Sequence, residues 1–571
     1  MPLTRADYEK RIDQAAGRVP ADLVIKNVRI LDTASGVIRD GEIAIGGDTV
    51  VGTFETYQGV DEIDAGGRVA MPGFIDAHLH IESSMVTPAE FEKVALPRGT
   101  TTAVCDPHEI ANVLGLDGIC FFLESALRMA MTLRVNLSSC VPATDLETSG
   151  ARLEAADLMS VATHPAVLGL AEVMNFPGVI MKDEGLLAKL VAFQDRPIDG
   201  HAPLLRGRDL NAYLASGIGS DHECTLYDEA AEKLAKGMHI FLREGSVAKN
   251  VAALAPLVTD ATWMRCAFCT DDRNPLEIIE DGHIDYALRK AIRNGAAPVP
   301  ALRAATLGAA LAFGLTDRGI IAPGKRADIV LLDDVHEVAV ERVICGGQLV
   351  EASLFEGQNP PQPVGYGSVK RAEVRAGDFA MRADRNQLDV IGVTEGAIIT
   401  DHLQATPSCV DGAWQADPAE DLLKLAVLER HGVNGNKGLG FVKGFGAISG
   451  AIGVSVGHDS HNLIIVGSND DEMALAANRL IELQGGAVVA AQGRIKAELG
   501  LPIAGLMSDR SFEEVTDDLR SIREAGRAIG CKLPEPILQL SFLALPVIPH
   551  LKLTDRGLVA ATETGLSLLA D

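Results

Sequence analysis

Eight short apolar runs alternate with segments of helical periodicity between about residues 73 and 315. Eight strand-and-helix units in succession are typical of a closed parallel barrel, so we predict a (β/α)8 barrel over 73–318. Helices are expected at Gly118–Met131, Glu184–Phe193, Asp228–Lys236 and Val247–Leu257. The eight apolar runs end near His80, Asp106, Val141, Glu172, His201, His222, Arg243 and Asp271.

Segments with the character of β-strands lie on both sides of this alternating region. Before it, Asp22–Ile30, Glu42–Ile45 and Arg68–Met71 are separated by glycine-containing turns. After it, Ala327–Leu332 and Val343–Val350 have the same character. Two separated β segments around a long middle predict a small β-sandwich domain formed from both flanks. Its two parts are 1–72, which begins with a helix, and the return at 319–356.

A proline-rich joint at 357–363 separates these parts from a third region. The region 365–571 mixes strands, glycine-rich loops and helices, one of which is expected over Asp470–Leu483. Ser511 followed by Glu514 is a capping-box start for another helix. At roughly 200 residues, this region is predicted to be a separate C-terminal α+β domain.

The composition indicates a globular enzyme and argues against several other classes. The chain has 571 residues, more than one hydrophobic core usually serves, and a net charge of −27. This charge argues against a broad electrostatic grip on nucleic acid or on an anionic membrane. The N-terminus lacks the apolar core of a secretory signal, and the stretch near 537–549 is too short to span a bilayer. Nine cysteines without a framework pattern, including Cys266 and Cys269 in a strand, indicate reduced thiols and a cytoplasmic location.

Histidines and carboxylates are concentrated where the apolar runs end. His78 and His80 are two residues apart in one strand, so their side chains point to the same side. One histidine at a strand end is more often an ordinary polar residue than a metal ligand. Several histidines and carboxylates at one rim, however, predict a site for two divalent metal ions with a bridging carboxylate. The four histidines are His78, His80, His201 and His222, and the carboxylates at the same strand ends include Glu172, Asp271 and Asp272.

Several motifs carry a resemblance to known proteins. The first predicted strand, Pro72–His80, and the later β segment Gly324–Val330 resemble the amidohydrolase superfamily. Many members of that superfamily bridge their metals with a carboxylated lysine, whereas Glu172 occupies the matching place here. This difference, the loop motifs and the C-terminal region resemble the bacterial adenine deaminases over the full length of the chain. The motifs are Cys105–Glu109, Phe241–Ser246, Phe268–Arg273, Asn434–Gly440 and Val456–Asn462.

The resemblance implies a reaction and a role for each ligand. A metal-bridging hydroxide, formed because two cations lower the pKa of a shared water, is expected to attack C6 of adenine. The products are hypoxanthine and ammonia, which implies a role in purine salvage. The expected metals are Mn²⁺ or Fe²⁺, and Zn²⁺ is compatible with the same ligands. His78, His80 and Asp271 are assigned to one metal and His201 and His222 to the other, with Glu172 bridging both.

The residue after the eighth strand is also the expected general base. Asp271 is assigned to take the proton from the nucleophile and to deliver it to the leaving amine. Asp272 is the competing assignment, and only one of the two is expected to reach the metals because adjacent strand residues face opposite ways.

Substrate contacts are assigned to the loop after the second strand. A purine needs hydrogen-bond partners along its ring nitrogens, and Asp106, His108 and Glu109 are candidates, with Glu109 the first choice. These residues fit a capped loop equally well, because Asp-Pro opens turns and a glutamate near a helix start suits the helix dipole. Arg243 either binds substrate or, as is slightly favoured, pairs with a neighbouring carboxylate.

His458, Asp459 and His461 in the C-terminal region admit two interpretations. They form either a second metal site or a polar loop between strands Ile452–Val456 and Leu463–Val466. The loop is favoured because nothing fixes a third or fourth ligand. A further option is that this loop, or the glycine-rich segment 434–446, covers the barrel mouth as a lid.

Two other functions stay open at this point. One is a different amidohydrolase reaction, on a cyclic amide or a related aminopurine, because the same nucleophile attacks amide and amidine carbons. The other is a non-catalytic relative of the barrel, which is disfavoured because the chain keeps all six ligands. The expected partner is a small purine base, and a homodimer is expected because dimers are the commonest assembly.

Overall fold

The computed structural model describes residues 3–562 and 565–569. Residues 1–2, 563–564 and 570–571, which belong to the predicted first and last domains, lie outside the described residues. The described chain is a mixed α/β protein, as predicted, with strands numbered β1–β30 and helices α1–α18 along the chain. Within the described ranges, no helix is long and apolar enough to cross a membrane.

One sheet combines strands from two distant parts of the chain. Its strands are β1 Ala21–Asp32, β2 Val37–Gly46, β3 Thr49–Thr53, β4 Gly59–Asp64, β5 Val69–Pro72, β14 Ile329–Leu332, β15 Val340–Cys345 and β16 Gln348–Leu349. The strand order is β16-β15-β14-β5-β1-β2-β3, and β4 pairs with β1. Because β14 pairs with β5, the segment after the parallel strands returns to the segment before them. The N-terminal helix α1, Arg5–Ala15, precedes this sheet.

Eight parallel strands make up the middle of the chain. They are β6 Phe74–Leu79, β7 Thr100–Cys105, β8 Thr132–Leu137, β9 Val167–Val173, β10 Ile198–Gly200, β11 Ser220–Asp221, β12 His239–Arg243 and β13 Cys266–Cys269. A five-stranded sheet contains β6 to β10, and a three-stranded sheet contains β11 to β13. Backbone bonds join the sheets along both edges: Gly219 N donates to Ile198 O, and Asp271 N donates to His78 O, each at 3.0 Å. Most residues of these strands are buried, as expected for parallel strands covered on both faces.

The helices between these strands follow the expected positions, with one clear difference. They are α2 Pro88–Ala95, α3 His108–Leu114, α4 Leu116–Ala126, α5 Ala155–Val161, α6 Phe176–Met181, α7 Glu184–Ala192, α8 Gly207–Ala215, α9 Tyr227–Ala235, α10 Val251–Leu254, α11 Pro275–Glu280, α12 Ile284–Arg293, α13 Pro298–Arg303, α14 Ala309–Phe313 and, further on, α15 Ala352–Phe355. The segment expected to be helical at 247–257 contains only one short α-helix and a 3₁₀ turn, Ala255–Leu257. Pro256 lacks the backbone donor that a continuing α-helix needs, so α10 ends before it.

Over its described residues, the C-terminal region contains three further sheets and three α-helices. Its strands are β17 Met381–Arg382, β18 Leu388–Gly392, β19 Asp401–Ala405, β20 Ser408–Val410, β21 Ala413–Gln415, β22 Leu423–Leu428, β23 Lys437–Lys443, β24 Ala451–Val454, β25 Leu463–Gly467, β26 Gly486–Ala491, β27 Arg494–Gly500, β28 Leu551–Thr554, β29 Gly557–Thr562 and β30 Gly565–Leu568. Its helices are α16 Asp470–Leu483, α17 Phe512–Ala528 and α18 Pro536–Ser541. Helix α16 has the predicted bounds, and Ser511 caps α17 with Glu514 in the predicted capping box.

The C-terminal region packs on the loops that follow the parallel strands. Thr148, in the connection from β8 to β9, accepts a hydrogen bond at its carbonyl oxygen from Asn462 Nδ2 at 3.0 Å. The backbone nitrogen of Thr148 donates to Asp555 Oδ1 at 2.8 Å. These buried bonds hold the C-terminal region against the carboxyl ends of the strands, which is where the candidate ligands lie.

Candidate metal centre

Four histidines at the carboxyl ends of the parallel strands face one another. His78 is in β6 and His80 follows that strand, and their Nε2 atoms are 3.2 Å apart. His201 follows β10, and His222 follows β11. All four side chains are buried, so the surrounding residues restrict the orientation of each ring. The structure therefore brings together the four histidines of the predicted ligand set.

The carboxylate of Glu172 lies between two pairs of these histidines. Its Oε1 is 3.5 Å from Nε2 of His78 and 3.3 Å from Nε2 of His80. Its Oε2 is 2.6 Å from Nδ1 of His201 and 3.3 Å from Nε2 of His222. Burial alone would raise the pKa of Glu172, but the surrounding imidazoles outweigh it and hold this pKa well below its usual range. One oxygen for each pair is the arrangement that a bridging carboxylate requires.

Asp271 completes the group from the end of β13. Its Oδ1 is 3.2 Å from Nε2 of His80, and its Oδ2 accepts a hydrogen bond from Arg243 Nη1 at 2.6 Å. Burial alone would raise the pKa of Asp271, but the Arg243 charge outweighs it and holds this pKa well below its usual range. Asp272 accepts a hydrogen bond from Ser83 Oγ, and it also lies close to His80 and Asp271, with one ligand atom of each within 4.8 Å of the others. Asp271 is paired with Arg243 and Asp272 with Ser83, so the two neighbouring aspartates have different partners.

Arg243 is held by carboxylates on two sides. Besides Asp271, it contacts both carboxylate oxygens of Glu223, with Nη2 donating to Oε2 at 2.9 Å. This is the pairing that the sequence slightly favoured over substrate binding. Glu223 was not among the predicted site residues, although it directly follows His222 in the sequence. Its place after a strand-end histidine was the signal that could have found it.

Hydrogen bonds on the far side of two rings set their orientation. Nδ1 of His78 lies 2.9 Å from Oδ2 of Asp199, and Nδ1 of His80 donates to the backbone oxygen of Asp106 at 2.9 Å. A proton on Nδ1 leaves Nε2 unprotonated, which is the form that binds a metal. Asp199 is absent from the predicted set, although it lies two residues before His201, in the strand that His201 follows.

These residues fit a pair of divalent cations. Ligand atoms of His78, His222 and Asp271 lie within 4.8 Å of one another, and so do those of Glu172, His201 and His222. Imidazole nitrogens and carboxylate oxygens without a thiolate suit manganese, iron or zinc. Each group contains both a neutral and an anionic ligand type, and Glu172 has one oxygen for each pair of histidines.

The predicted substrate residues lie beside this centre. His108 Nδ1 is 3.5 Å from Glu172 Oε1 and 2.9 Å from Asp106 Oδ2. Asp106 also accepts a hydrogen bond at Oδ1 from Ser138 Oγ at 2.7 Å, so its carboxylate is occupied on both oxygens. Glu109 Oε1 lies 3.3 Å from His108 Nε2. Of the three residues, His108 lies nearest the carboxylate of Glu172. Asp106 and Glu109 each contact His108, at Nδ1 and Nε2 respectively.

The C-terminal loop with His458, Asp459 and His461 enters the same site. His458 Nδ1 is 2.7 Å from Glu109 Oε1, and His461 Nε2 contacts Glu109 Oε2. Asp459 Oδ1 is 3.8 Å from His108 Nε2. The loop joins β24 to β25, close to the predicted strands. Periodicity could not predict its contact with Glu109, because the two segments are far apart in the sequence.

A cavity opens in front of these groups. All the metal-ligand residues except His78 line it together with Glu109, and the C-terminal region contributes His458 and Asp459. Apolar side chains complete the wall, and they suit the faces of a flat ring. They include Val247, Ile398, Phe542, Leu545 and Ile548.

Comparisons with known proteins identify the family. The model for the Amidohydrolase family matches residues 69–350, and the model for the Adenine deaminase C-terminal domain matches residues 397–564. An adenine deaminase from Methylobacterium nodulans is 58% identical over 555 residues, which cover 97% of this chain and 98% of that protein. The chain belongs to the adenine deaminase family. A second adenine deaminase, from Cereibacter sphaeroides, is 57% identical over 555 residues, with 97% and 98% of the two chains covered.

Solved structures show only a partial likeness to this adenine deaminase family member. The N-acetyl-D-glucosamine-6-phosphate deacetylase from Mycobacterium smegmatis has 19% identity and a TM-score of 0.44, covering 58% of this chain and 99% of that chain. An enamidase of the amidohydrolase superfamily has 16% identity and a TM-score of 0.44, covering 57% and 95%. The predicted resemblance to the amidohydrolases and the adenine deaminases is confirmed by the sequence matches, which span nearly the whole chain.

Proposed function

We propose that this protein is a metal-dependent aminohydrolase that converts adenine and water to hypoxanthine and ammonia. The observation that carries the proposal is the position of Glu172, which presents one oxygen to His78 and His80 and the other to His201 and His222. Full-length similarity to proteins named adenine deaminase supports the choice of adenine as substrate.

In this proposal, the eight parallel strands form one closed (β/α)8 barrel. The hydrogen bonds that join β10 to β11 and β13 to β6 support it. The β strands of both flanks form the β-sandwich domain, and the C-terminal region forms a third domain. The proposed boundaries are 1–72, 73–318, 319–356 and 365–571.

The ligand roles follow from which carboxylate oxygen of Glu172 each histidine contacts. Two divalent cations, Mn²⁺ or Fe²⁺ with Zn²⁺ as a further option, would supply a water of lowered pKa as the nucleophile when bound here. Asp199 and the carbonyl of Asp106 keep the proton of His78 and His80 on Nδ1. His78, His80 and Asp271 would hold one metal and His201 and His222 the other, and Glu172 would be shared by the two.

Asp271 carries the proton between nucleophile and leaving group. Its Oδ1 faces the histidines, where the nucleophile is generated, while Arg243 fixes Oδ2. Asp271 accepts the proton at Oδ1 and donates it to the departing amine nitrogen, so that ammonia leaves as a neutral molecule. Arg243 is then a positioning residue for Asp271. Glu109 and His108 are the proposed hydrogen-bond groups for the purine, and Asp106 orients His108 through the contact with its Nδ1.

Ammonia release from adenine by the purified, manganese-loaded protein tests this proposal. We expect turnover by the wild-type protein, a loss of about 10³-fold or more in kcat for Asp271→Asn, and a smaller loss for the matched variant Asp272→Asn. No ammonia from adenine by a protein that binds its metals would overturn the substrate. An equal loss in the two variants would overturn the role of Asp271. A cytoplasmic location, a homodimer and a role in purine salvage stay predictions.

A further inference from the structure

Two buried polar atoms of the C-terminal region face the cavity without a partner. Nε2 of His458 and Oδ2 of Asp459 have no hydrogen-bond partner among residues 3–562 and 565–569, and each residue is 2% exposed. Both residues line the cavity in front of the metal ligands. A buried polar group without a partner is costly, so two of them on one cavity wall point to a ligand that supplies the missing bonds.

The ring of His458 is held in one orientation. Its Nδ1 lies 2.7 Å from Oε1 of Glu109, and the ring stacks on Phe542 with centroids 4.4 Å apart and planes 16° apart. Its backbone nitrogen donates to the oxygen of Ser541 at 3.1 Å. The ring cannot turn without losing the contact with Glu109, so Nε2 remains available to whatever occupies the cavity.

This pair lies outward from the metal ligands along a chain of contacts. Glu172 Oε1 is 3.5 Å from His108 Nδ1, and His108 Nε2 is 3.3 Å from Glu109 Oε1. Asp459 Oδ1 is 3.8 Å from the same His108 nitrogen. A base whose C6 is at the metal ligands therefore extends its opposite edge towards His458 and Asp459. In adenine, the edge opposite C6 carries N3 and N9–H.

We propose that His458 and Asp459 recognise the N3/N9 edge of the purine and thereby select the free base over N9-substituted purines. The inference rests on the proposed function. An ionised Asp459 only accepts hydrogen bonds, so it accepts from N9–H, while His458 Nε2 contacts N3. A substituent on N9 removes the donor and places bulk against a buried carboxylate. Specificity is then supplied by the C-terminal region, and the metal ligands supply the chemistry.

A third cation is the competing occupant of this place. Ligand atoms of His108, Glu109 and Asp459 lie within 4.8 Å of one another, so these side chains also have the spacing of a metal site. The two occupants can be distinguished by experiment. Loss of a contact with the purine changes the preference between substrates, whereas loss of a cation site lowers the number of metal ions bound per chain.

The test compares adenine with 9-methyladenine for the wild type, Asp459→Ala, Asp459→Asn and His458→Ala. We expect the wild type to favour adenine by about 10⁴-fold in kcat/KM, as sites that bind a specific donor do. Asp459→Ala should lower kcat/KM for adenine about 100-fold, mainly through KM, and leave 9-methyladenine nearly unchanged. Asp459→Asn keeps an acceptor oxygen and should recover part of the loss. His458→Ala should lower kcat/KM for adenine but not for 3-deazaadenine, which lacks the N3 nitrogen.

Two controls separate recognition from folding. His461→Gln lies in the same loop and contacts Glu109 but does not line the cavity, so it should affect both substrates by the same factor. His402→Gln changes an exposed ion pair of the C-terminal region and should change neither. Thermal unfolding and metal content are measured for every variant.

Each outcome supports or overturns the inference. A fall of the adenine preference to about 100-fold in Asp459→Ala at unchanged metal content supports it. Equal losses for both substrates overturn it, and so does a fall from three bound metals to two in that variant. If the metal-loaded wild type does not deaminate adenine, the proposed function fails. Calorimetric Kd values for adenine and 9-methyladenine then decide the recognition separately, and equal values overturn it.

Discussion

Asp199→Asn is predicted to weaken metal binding by changing which nitrogen of His78 carries the proton. Oδ1 of Asp199 accepts hydrogen bonds from Gly200 N, at 2.9 Å, and from Ser220 Oγ. Oδ2 accepts from Nδ1 of His78 at 2.9 Å. In the variant, the amide oxygen keeps the two donors at Oδ1, so the amide NH₂ faces His78. The imidazole must then accept at Nδ1 and carry its proton on Nε2, the nitrogen that faces the metal site.

The size of the effect follows from the bond that is exchanged. A buried hydrogen bond to a charged group is worth about 1.5–3 kcal/mol, which corresponds to roughly 10- to 150-fold in a binding constant. Partners behind a metal-binding histidine have effects of about 10- to 100-fold on metal affinity. We therefore expect the metal Kd to rise by roughly 10- to 100-fold, with kcat partly recovered at saturating metal.

A competition titration of the metal-free protein against a chelator measures this effect. Asp195→Asn is the matched control, because Asp195 lies in the exposed connection that leads into β10 and makes no contact with His78 among the described contacts. The reasoning is refuted if Asp199→Asn binds metal as tightly as the wild type. It is also refuted if Asp195→Asn weakens binding equally.

Three further predictions concern stability. Arg243→Met leaves Glu223 and Asp271 buried without their cation, so the free energy of unfolding measured in urea should fall by about 3–5 kcal/mol; an unchanged midpoint would contradict the ion-pair assignment. Ser511→Ala removes the cap of α17 and should cost about 1 kcal/mol, whereas Ser521→Ala within the same helix should cost less. Burial lowers the pKa of Lys552 from 10.5 to about 7, so the unfolded chain binds more protons than the native one between these values. The free energy of unfolding should therefore gain a rising contribution from pH 7 to 10.5, and Lys552→Met should lack it; equal pH slopes for the two proteins would refute the assignment.

The part of the site that was predicted from sequence depends on local rules. Side chains two residues apart on a strand share a face, which is why His78 and His80 were expected to lie side by side. The carboxyl ends of parallel strands lie at the same edge of the sheet, so Glu172, His201 and His222 were expected in one ligand group. A helix start was predicted well where a cap marks it, as at Ser511, and the helix expected at 247–257 was predicted poorly because Pro256 interrupts its apolar segment.

The part that was not predicted depends on contacts between distant segments. Asp199 and Glu223 lie next to predicted ligands in sequence, but which of several carboxylates orients a histidine is decided by packing. The contact between His458 and Glu109 joins residues from two different regions, and no periodicity in either segment encodes it. The loop at 457–462 was expected between two strands, with a position over the barrel mouth as a further option, but its contact partner Glu109 was not predicted.

The most direct test of the two-metal account is a titration of metal-free protein with Mn²⁺, followed by ammonia release from adenine. Because Glu172 divides the ligands into two groups, activity should rise until two equivalents per chain are bound and then stay constant. Full activity at one equivalent, or metal binding without any ammonia from adenine, would contradict the account.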